Sequence, residues 1–305
     1  MQIPAPLYRD PVHDGATDPT LIWNREEKAW YMFYTQRRAI GVAIGVSWVH
    51  GTDLGIASSP DGIHWLYRGC AVLEPVEPGR NTFWAPEILF HAGMYHMFVS
   101  YITGVPTSWT GDRHILHYVS GDLWHWSYRS AAELSSNRVI DAGIFPLPQG
   151  GFRMWYKDED RDSHIYVSDS PDLEKWHDAR EAVGDCSMEG PNVFALGNCY
   201  FMICDQWQGL GVYHSDDLEH WTRQEGQILA RGGSRPLDGT FGHHADVVVQ
   251  QNRGYIYYFT HPLEDHPGQT PGRRRSVIQA AVLTADHQRL SVERDRVDFQ
   301  LQPET

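Results

Sequence analysis

Acidic and histidine side chains recur along this sequence where short apolar runs begin. They are Asp18, Glu87, Asp141, Glu189 and the group of His243, His244 and Asp246. Carboxylates that share a site acquire different proton affinities, so one can donate a proton while another stays ionised. Two carboxylates of this kind are what cleavage of a glycosidic bond requires. Any one of these residues could instead sit in a turn, so the prediction depends on their common position.

The runs that carry these residues predict β-strands, because they are short, aromatic and β-branched and are bounded by turn residues. Each is followed, after a turn, by an aromatic run. The five pairs of runs span residues 17–24 and 29–36, 84–91 and 94–102, 140–147 and 151–157, 189–196 and 199–207, and 243–250 and 254–261. No segment has a sustained 3.6-residue apolar period, which argues against a helical fold.

A third strand and a closing turn complete the unit in four of the five cases. These turns carry an Asp and end at Trp65, Trp126, Trp176 and Trp221, and the fifth unit lacks the closing Trp. Four strands per unit, repeated about every 50 residues, predict an all-β, five-bladed β-propeller with four-stranded antiparallel blades. We expect residues 1–305 to form one domain, with the tryptophans filling the gaps between blades. The starts of the innermost strands then converge at one end of the central channel.

Composition limits the classes of partner. The formal net charge of −14 argues against nucleic-acid binding, and no apolar stretch is long enough to predict a membrane span. The four cysteines lack CxxC spacing, and the first ten residues lack a signal-peptide pattern, so we expect reduced thiols in a cytoplasmic protein. The 12 Trp and 15 Tyr suit both a β-rich core and stacking on sugars. Oligomerisation stays open.

Five short motifs, one per predicted blade, resemble those of glycoside hydrolase family 43 and its five-bladed relatives. They are TDPT at 17–20, WAPE at 84–87, VIDAGIF at 139–145, EGPNVF at 189–194 and GHHADVV at 242–248. The resemblance extends over residues 14–285. It implies that Asp18 is the general base, Glu189 the general acid, and Asp141 the residue that tunes the pKa of the acid.

The same resemblance implies binding roles for other residues. Trp84 would form a wall of the terminal-sugar subsite, and His243 or His244 would hold a sugar hydroxyl, a channel water or an ion. Glu87 stands where the family often has Asp, so it either contacts substrate or ties down a loop. A kinship with family 117, which uses a different acid, stays open.

Two further segments depart from the repeat. The apolar, Gly-rich insertion at 40–51 is either a lid over the pocket or an oligomer contact. The stretch 264–275 ends in Arg273, Arg274 and Arg275 and is either a solvated loop or a cover for the ligand. In the second case we expect Arg275 to reach the pocket and pair with Glu189 or bind substrate. The histidines lack HExxH spacing, so we predict no catalytic metal and no required cofactor, while a channel Ca²⁺ or Na⁺ stays open.

The leading functional prediction is an inverting exo-glycosidase that releases an arabinofuranosyl, xylosyl or galactosyl terminus from an oligosaccharide. Inversion follows from the family resemblance and requires space for a water between base and acid. One alternative is a glycoside phosphorylase, which would need basic groups around the pocket. The other is a non-catalytic sugar-binding propeller, which would be expected to have lost the acid or the base.

Overall fold

The computed structural model describes residues 3–262, 272–295 and 298–304, and within these ranges the chain is built almost entirely of strands. Blade 1 contains β1 (Ala16–Asn24), β2 (Ala29–Gln36), β3 (Asp53–Ser59) and β4 (Leu66–Cys70). Blade 2 contains β5 (Val72–Leu73), β6 (Thr82–His91), β7 (Met94–Ile102), β8 (His114–Ser120) and β9 (His125–Ala131). Blade 3 contains β10 (Val139–Pro146), β11 (Phe152–Asp158), β12 (His164–Ser170) and β13 (His177–Val183). Blade 4 contains β14 (Glu189–Leu196), β15 (Cys199–Asp205), β16 (Leu210–Ser215) and β17 (Thr222–Ile228). Blade 5 contains β18 (His243–Gln250), β19 (Arg253–Thr260), β20 (Val277–Asp286) and β21 (Arg289–Glu293), with a short 3₁₀ turn at Gly272–Arg274 before β20.

Consecutive strands pair antiparallel in every blade, which confirms the predicted five-bladed propeller. One detail differs from the prediction. The two-residue strand β5 adds to the outer edge of blade 2, where it runs parallel to β9. The chain therefore leaves blade 1 along the rim of blade 2 before it enters the centre through β6.

Burial explains why the aromatic runs form the second strand of each blade. Every residue of β11 is buried, and seven of the eight residues of β2 are buried. The fourth long strand of blade 2, β9, alternates between exposed and less exposed positions, because its sheet has solvent on one side there. The inner strands are covered on both faces by the adjacent blades, so they tolerate continuous apolar sequence.

The closing tryptophans join neighbouring blades, as the sequence predicts. Each indole packs edge-on against an aromatic ring of the second strand in the preceding blade, where blade 5 precedes blade 1. The ring centroids lie 6.3 Å apart for Trp65 and Tyr257, 6.0 Å for Trp126 and Phe33, 5.5 Å for Trp176 and Phe98, and 6.0 Å for Trp221 and Trp155. Edge-on geometry suits the quadrupoles of the two rings.

The seam between blades 1 and 5 is closed by packing from both ends of the described chain. Tyr8 forms a bridge to Ile278 of β20, with backbone hydrogen bonds of 3.1 and 2.9 Å. From the other end, Phe299 and Leu301 are buried in the cluster that also contains residues of both blades. The backbone N–H of Leu301 donates to the carbonyl of Asp61 at 2.9 Å.

A shift in pairing register interrupts the innermost strand of every blade near its start. The shifts lie between Thr17 and Thr20, Trp84 and Glu87, Ile140 and Gly143, Glu189 and Asn192, and His243 and Ala245. Four blades place a residue with positive φ inside the shift: Asp18, Ala85, Asp141 and Gly190. Bulges of this kind redirect side chains away from the regular alternation of a strand. Here they define a ring of equivalent positions at one end of the channel.

Candidate active site

A cavity of about 530 Å³ lies at this ring of bulges, and all five blades contribute to it. It contains the three predicted catalytic carboxylates, Asp18, Asp141 and Glu189. The other lining residues are Arg37, Val49, Trp84, Trp109, Arg113, Arg138, Ile140, Lys157, Glu159, Ser163, Trp207 and His244. The three carboxylates thus come from three different blades and lie at one concave site. The volume of this site is typical of small-molecule pockets.

Asp18 is buried, with 5% of its surface exposed, and is surrounded by groups that favour its ionised form. Arg37 Nη2 lies 3.5 Å from Oδ2, His244 Nδ1 lies 3.8 Å from Oδ1, and the Thr17 hydroxyl donates to Oδ2 at 3.0 Å. Burial acts to raise the pKa of Asp18, but Arg37, His244 and the neighbouring threonine hydroxyls outweigh it and lower the pKa. Asp18 is therefore a carboxylate kept ready to accept a proton.

Asp141 occupies the equivalent bulge position in blade 3 but has the opposite electrostatic environment. Burial raises its pKa to about 7, and the charge of Glu189 adds to the increase, while His244 and Lys157 oppose it. Its backbone N–H donates to the Ser100 hydroxyl at 2.9 Å, and its Oδ2 accepts from the Gly190 N–H at 3.2 Å. Two carboxylates at the same position of the fold thus bind protons with different strength.

Glu189 lies one residue before the bulge glycine of blade 4, and both of its carboxyl oxygens are engaged. Lys157 Nζ donates to Oε2 at 2.9 Å, and the indole N–H of Trp207 donates to Oε1 at 3.0 Å. Burial acts to lower the pKa of Lys157, but the charges of Glu189 and Asp141 raise it above the usual value for lysine. Lys157 is thus a buried cation that holds Glu189 in place.

A basic cluster around Glu159, which the sequence reasoning missed, supports this lysine from behind. Glu159 lies 2.8 Å from Arg113 Nη1, 3.1 Å from Arg138 Nη2 and 3.5 Å from Lys157 Nζ. Arg113, Arg138 and Glu159 line the cavity, so the cluster forms part of its wall. Arg113 is only 2% exposed. A lysine at the end of the aromatic run at 151–157 was the available signal in the sequence.

Trp84 lines the cavity, and the insertion at 40–51 supports it. The indole is 8% exposed, and its N–H donates to the carbonyl of Val49 at 2.6 Å. The His50 ring lies 4.9 Å from the indole and the Trp109 ring 6.3 Å. Val49 itself lines the cavity, so this end of the insertion belongs to the rim of the pocket.

Glu87 and Asp246 lie beyond the bulges of their strands and do not line this cavity. Glu87 Oε1 accepts the backbone N–H of Ile144 at 3.1 Å, and Asp246 Oδ2 accepts that of Leu21 at 2.7 Å. Burial raises the pKa of Glu87 to about 8, and the charge of Asp246 contributes. Blades 2 and 5 are not neighbours, so this interaction reaches across the channel. Glu87 was predicted either to contact substrate or to tie down a loop, and it is instead hydrogen-bonded to the backbone of a strand in the neighbouring blade.

The remaining predicted site residues are divided between different places. His244 lines the cavity beside Asp18, whereas His243 faces the buried Asp205, with Nδ1 3.2 Å from Oδ2. Arg275 does not line the pocket, because its Nε lies 3.0 Å from Asp14 Oδ2. Lys157 instead holds the position beside Glu189 that was predicted for Arg275. The predicted cover at 264–275 falls largely on residues 263–271, outside the described residues.

The described ranges contain neither a cluster of metal-ligating side chains nor a membrane-spanning helix. No group of three or more His, Cys, Asp or Glu side chains there is arranged to hold a metal ion. Both oxygens of Asp246 are already occupied, since Oδ1 accepts the Asn192 side-chain amide at 2.9 Å. No helix in these ranges has the length and apolar character needed to cross a bilayer.

Comparison with solved structures identifies the same architecture in several glycosidases. A thermostable family-43 glycoside hydrolase superimposes with a TM-score of 0.73 at 21% identity, covering 98% of this chain and 99% of that one. A family-43 β-1,3-galactosidase with galactodeoxynojirimycin gives 0.70 at 13% identity, covering 93% and 96%. A β-xylosidase/α-arabinofuranosidase from a compost microbial metagenome, in complex with xylotriose, gives 0.67 at 14% identity, covering 93% and 97%. At these identities the similarity establishes the fold.

The family follows from the sequence match. The model of glycosyl hydrolases family 43 matches residues 8–288, which include every described strand except β21 and every acidic residue of the cavity. The matched residues include all five bulges and the three carboxylates Asp18, Asp141 and Glu189. A propeller of five blades, three carboxylates in one pocket and a family match over nearly the whole chain agree with one another, and the chain belongs to glycoside hydrolase family 43.

Proposed function

We propose that this glycoside hydrolase is an inverting exo-glycosidase that removes one terminal sugar from an oligosaccharide. The observation that carries the proposal is the difference in proton affinity around one cavity. The pKa of Asp18 is lowered by Arg37 and His244, whereas burial raises that of Asp141 to about 7. A reaction that needs one ionised and one protonated carboxyl has both available near neutral pH.

In the proposed mechanism, Asp18 takes a proton from a water molecule as the water oxygen attacks the anomeric carbon. The bond between that carbon and the glycosidic oxygen breaks, and Glu189, after taking up the proton that Asp141 holds at rest, donates it to the leaving oxygen. Asp141 remains close to Glu189 and keeps a proton available within the pair, because burial and the charge of Glu189 disfavour its ionisation. At the end of the reaction, Asp18 carries an extra proton and the pair of Asp141 and Glu189 has lost one. Proton exchange with solvent restores both for the next turnover.

The shape of the site supports release of a terminal sugar. The nearly buried Trp84 forms one wall, and the described cavity suits one or two sugar rings in size. Indole faces pack well against the C–H faces of sugars. Structural neighbours include enzymes described as galactosidase, xylosidase, arabinofuranosidase and arabinanase, so we propose a galactosyl, xylosyl or arabinofuranosyl terminus.

A substrate screen followed by product analysis tests this function. Nitrophenyl glycosides of furanose and pyranose sugars identify the sugar, and NMR of the first product anomer distinguishes inversion from retention. We expect the opposite anomer from that of the substrate, without dependence on added phosphate. Retention of configuration would contradict the role of Asp18 as a base acting on water, and complete inactivity across the panel would contradict the proposed activity.

A further inference from the structure

Trp207 is a large apolar side chain that stays exposed at the mouth of the cavity. It belongs to the hairpin between β15 and β16, and 44% of its surface is exposed although it lines the pocket. Trp84 in the same cavity is 8% exposed. The cavity therefore has a deep indole wall, and a second indole lies where the pocket opens to solvent.

The backbone of Trp207 is held in a conformation that side chains with a Cβ rarely adopt. Its φ is 62°, in the left-handed region. The fully buried Asp205 accepts the Trp207 N–H at 2.7 Å, and the Gln206 N–H donates to the Gly209 carbonyl at 3.0 Å. Strain of this kind costs about 1 kcal/mol or more and persists where surrounding contacts enforce it. The hairpin thus fixes the direction in which the indole points.

That direction brings the indole to the proposed acid. The Trp207 N–H donates to Glu189 Oε1 at 3.0 Å, while Lys157 holds the other oxygen and lies 5.6 Å from the centre of the ring. The Lys157 side chain is only 8% exposed, so its side of Glu189 is closed. A leaving group that enters through the mouth of the cavity therefore meets Glu189 beside Trp207.

We propose that Trp207 is the specificity-determining platform for the sugar on the leaving-group side of the bond that breaks. Its ring stacks on that sugar, and its N–H gives up Oε1 as the leaving oxygen takes the same position. This inference rests on the proposed glycosidase function. It assigns recognition of the terminal sugar to the Trp84 side of the cavity and recognition of the second sugar to Trp207.

Trp109 provides a comparison within the same cavity. It is also exposed, at 56%, but its ring lies against His50 and Trp84, at 5.9 and 6.3 Å between centroids. Its carbonyl accepts a hydrogen bond from Arg113 Nη2 at 2.7 Å. Trp109 therefore extends the wall formed by Trp84, and Trp207 is the exposed indole in contact with the acid.

The test compares two substrates that share the terminal sugar but differ in the leaving group. One is a disaccharide, and the other is the glycosyl fluoride of the same sugar and anomeric configuration, which has no second ring to stack. We expect Trp207→Ala to lower kcat/KM for the disaccharide about tenfold, and for the fluoride by less than about threefold. Trp207→Phe keeps a flat ring, so its KM for the disaccharide should stay within about threefold of wild type.

Trp124→Ala is the control, because it removes a partly buried indole that packs on Tyr31, outside the cavity. It should leave the ratio of the two kcat/KM values unchanged. Equal losses on both substrates in Trp207→Ala, or no loss on the disaccharide, would overturn the inference while leaving the glycosidase function intact. Wild-type inactivity on every disaccharide and fluoride tested would instead overturn the proposed function and the inference with it.

Discussion

The innermost strands carry two sets of carboxylates that differ in what surrounds them. Asp18 and Asp141 lie inside the bulges, line the cavity and face cationic or titratable side chains. Glu87 and Asp246 lie beyond the bulges of their strands and accept backbone N–H groups from neighbouring blades. A difference of two positions along the strand thus separates the acids that line the cavity from the acids that join neighbouring blades.

The comparison teaches that an acidic residue on an inner strand is not by itself a catalytic candidate. The two cavity carboxyls differ in their charged neighbours, because Asp18 lies beside Arg37 whereas Asp141 lies near Glu189. Backbone N–H groups cannot produce such a difference in pKa between two carboxyls, because each donates one fixed hydrogen bond. The bulge selects which side chains reach solvent and substrate.

The largest expected effect comes from removing the proton-transfer groups in the cavity. Asp18→Asn and Glu189→Gln should each lower kcat by about 10²–10⁴-fold, the usual contribution of a positioned acid or base. The measurement is steady-state kinetics on the best glycoside of the screen. The thermal midpoint should change little, because the size of each side chain is kept. Near-normal turnover in either variant would remove that residue from its proposed role.

An intermediate effect is expected from Lys157→Met, which keeps the length of the side chain but removes the charge beside Glu189. We expect kcat/KM to fall about 10- to 100-fold, because a hydrogen bond to a charged group is worth roughly 1.5–3 kcal/mol. Arg275→Met serves as the control, since Arg275 pairs with Asp14 outside the pocket. Equal losses of activity in the two variants would show that a general charge effect, and not the contact with Glu189, is responsible.

The channel carboxylates should affect stability rather than turnover. Glu87→Ala removes the acceptor of the Ile144 N–H and should lower the free energy of unfolding by about 1–3 kcal/mol. Glu87→Gln keeps an acceptor oxygen and should cost less. Chemical denaturation measures both, and kcat of the folded variants should stay within about threefold of wild type. A large fall in kcat with Glu87→Gln would place this residue in the catalytic machinery and abolish the distinction drawn above.

The smallest expected effect on activity belongs to the last prediction, which concerns the pH dependence of stability. The folded-state pKa of Glu87 is raised to about 8 from an ordinary 4.5, so the folded protein retains a proton that the unfolded chain releases. Stability from this group is complete below pH 4.5 and is lost as pH rises through 8. As pH rises between these limits, Glu87→Gln should therefore lose less stability than wild type, by about 1.4 kcal/mol for each pH unit. Parallel stability profiles would contradict the raised pKa. Asp141 titrates in both proteins and cancels in the comparison.

The propeller could be predicted because each blade repeats the same short sequence patterns. Aromatic second strands and the closing tryptophans are needed in each blade for the same packing reason, so the pattern recurs and can be recognised. The three carboxylates could be predicted because each lies near the start of the innermost strand of its blade. The family match covers the residues on which both predictions depend.

Other parts of the site could not be predicted because they depend on contacts between different blades. Lys157 is on a second strand and reaches Glu189 of the next blade, while Arg275, adjacent to β20, finds Asp14 instead. Trp207 belongs to a hairpin whose backbone conformation is set by the buried Asp205. The repeat specifies what each blade has in common, whereas these contacts depend on how blades meet.

The seam between the first and last blades has a consequence for synthesis of the protein. The Trp30 indole in blade 1 donates to the carbonyl of Gln302 at 3.2 Å, and Leu301 is buried against the same blade. A nascent chain on the ribosome therefore cannot cover this aromatic surface until residues 299–302 have emerged. Until then, the first blade exposes aromatic rings to which other chains could bind. Deletion of residues 299–302 should therefore reduce the yield of soluble protein more than it alters the activity of the folded fraction.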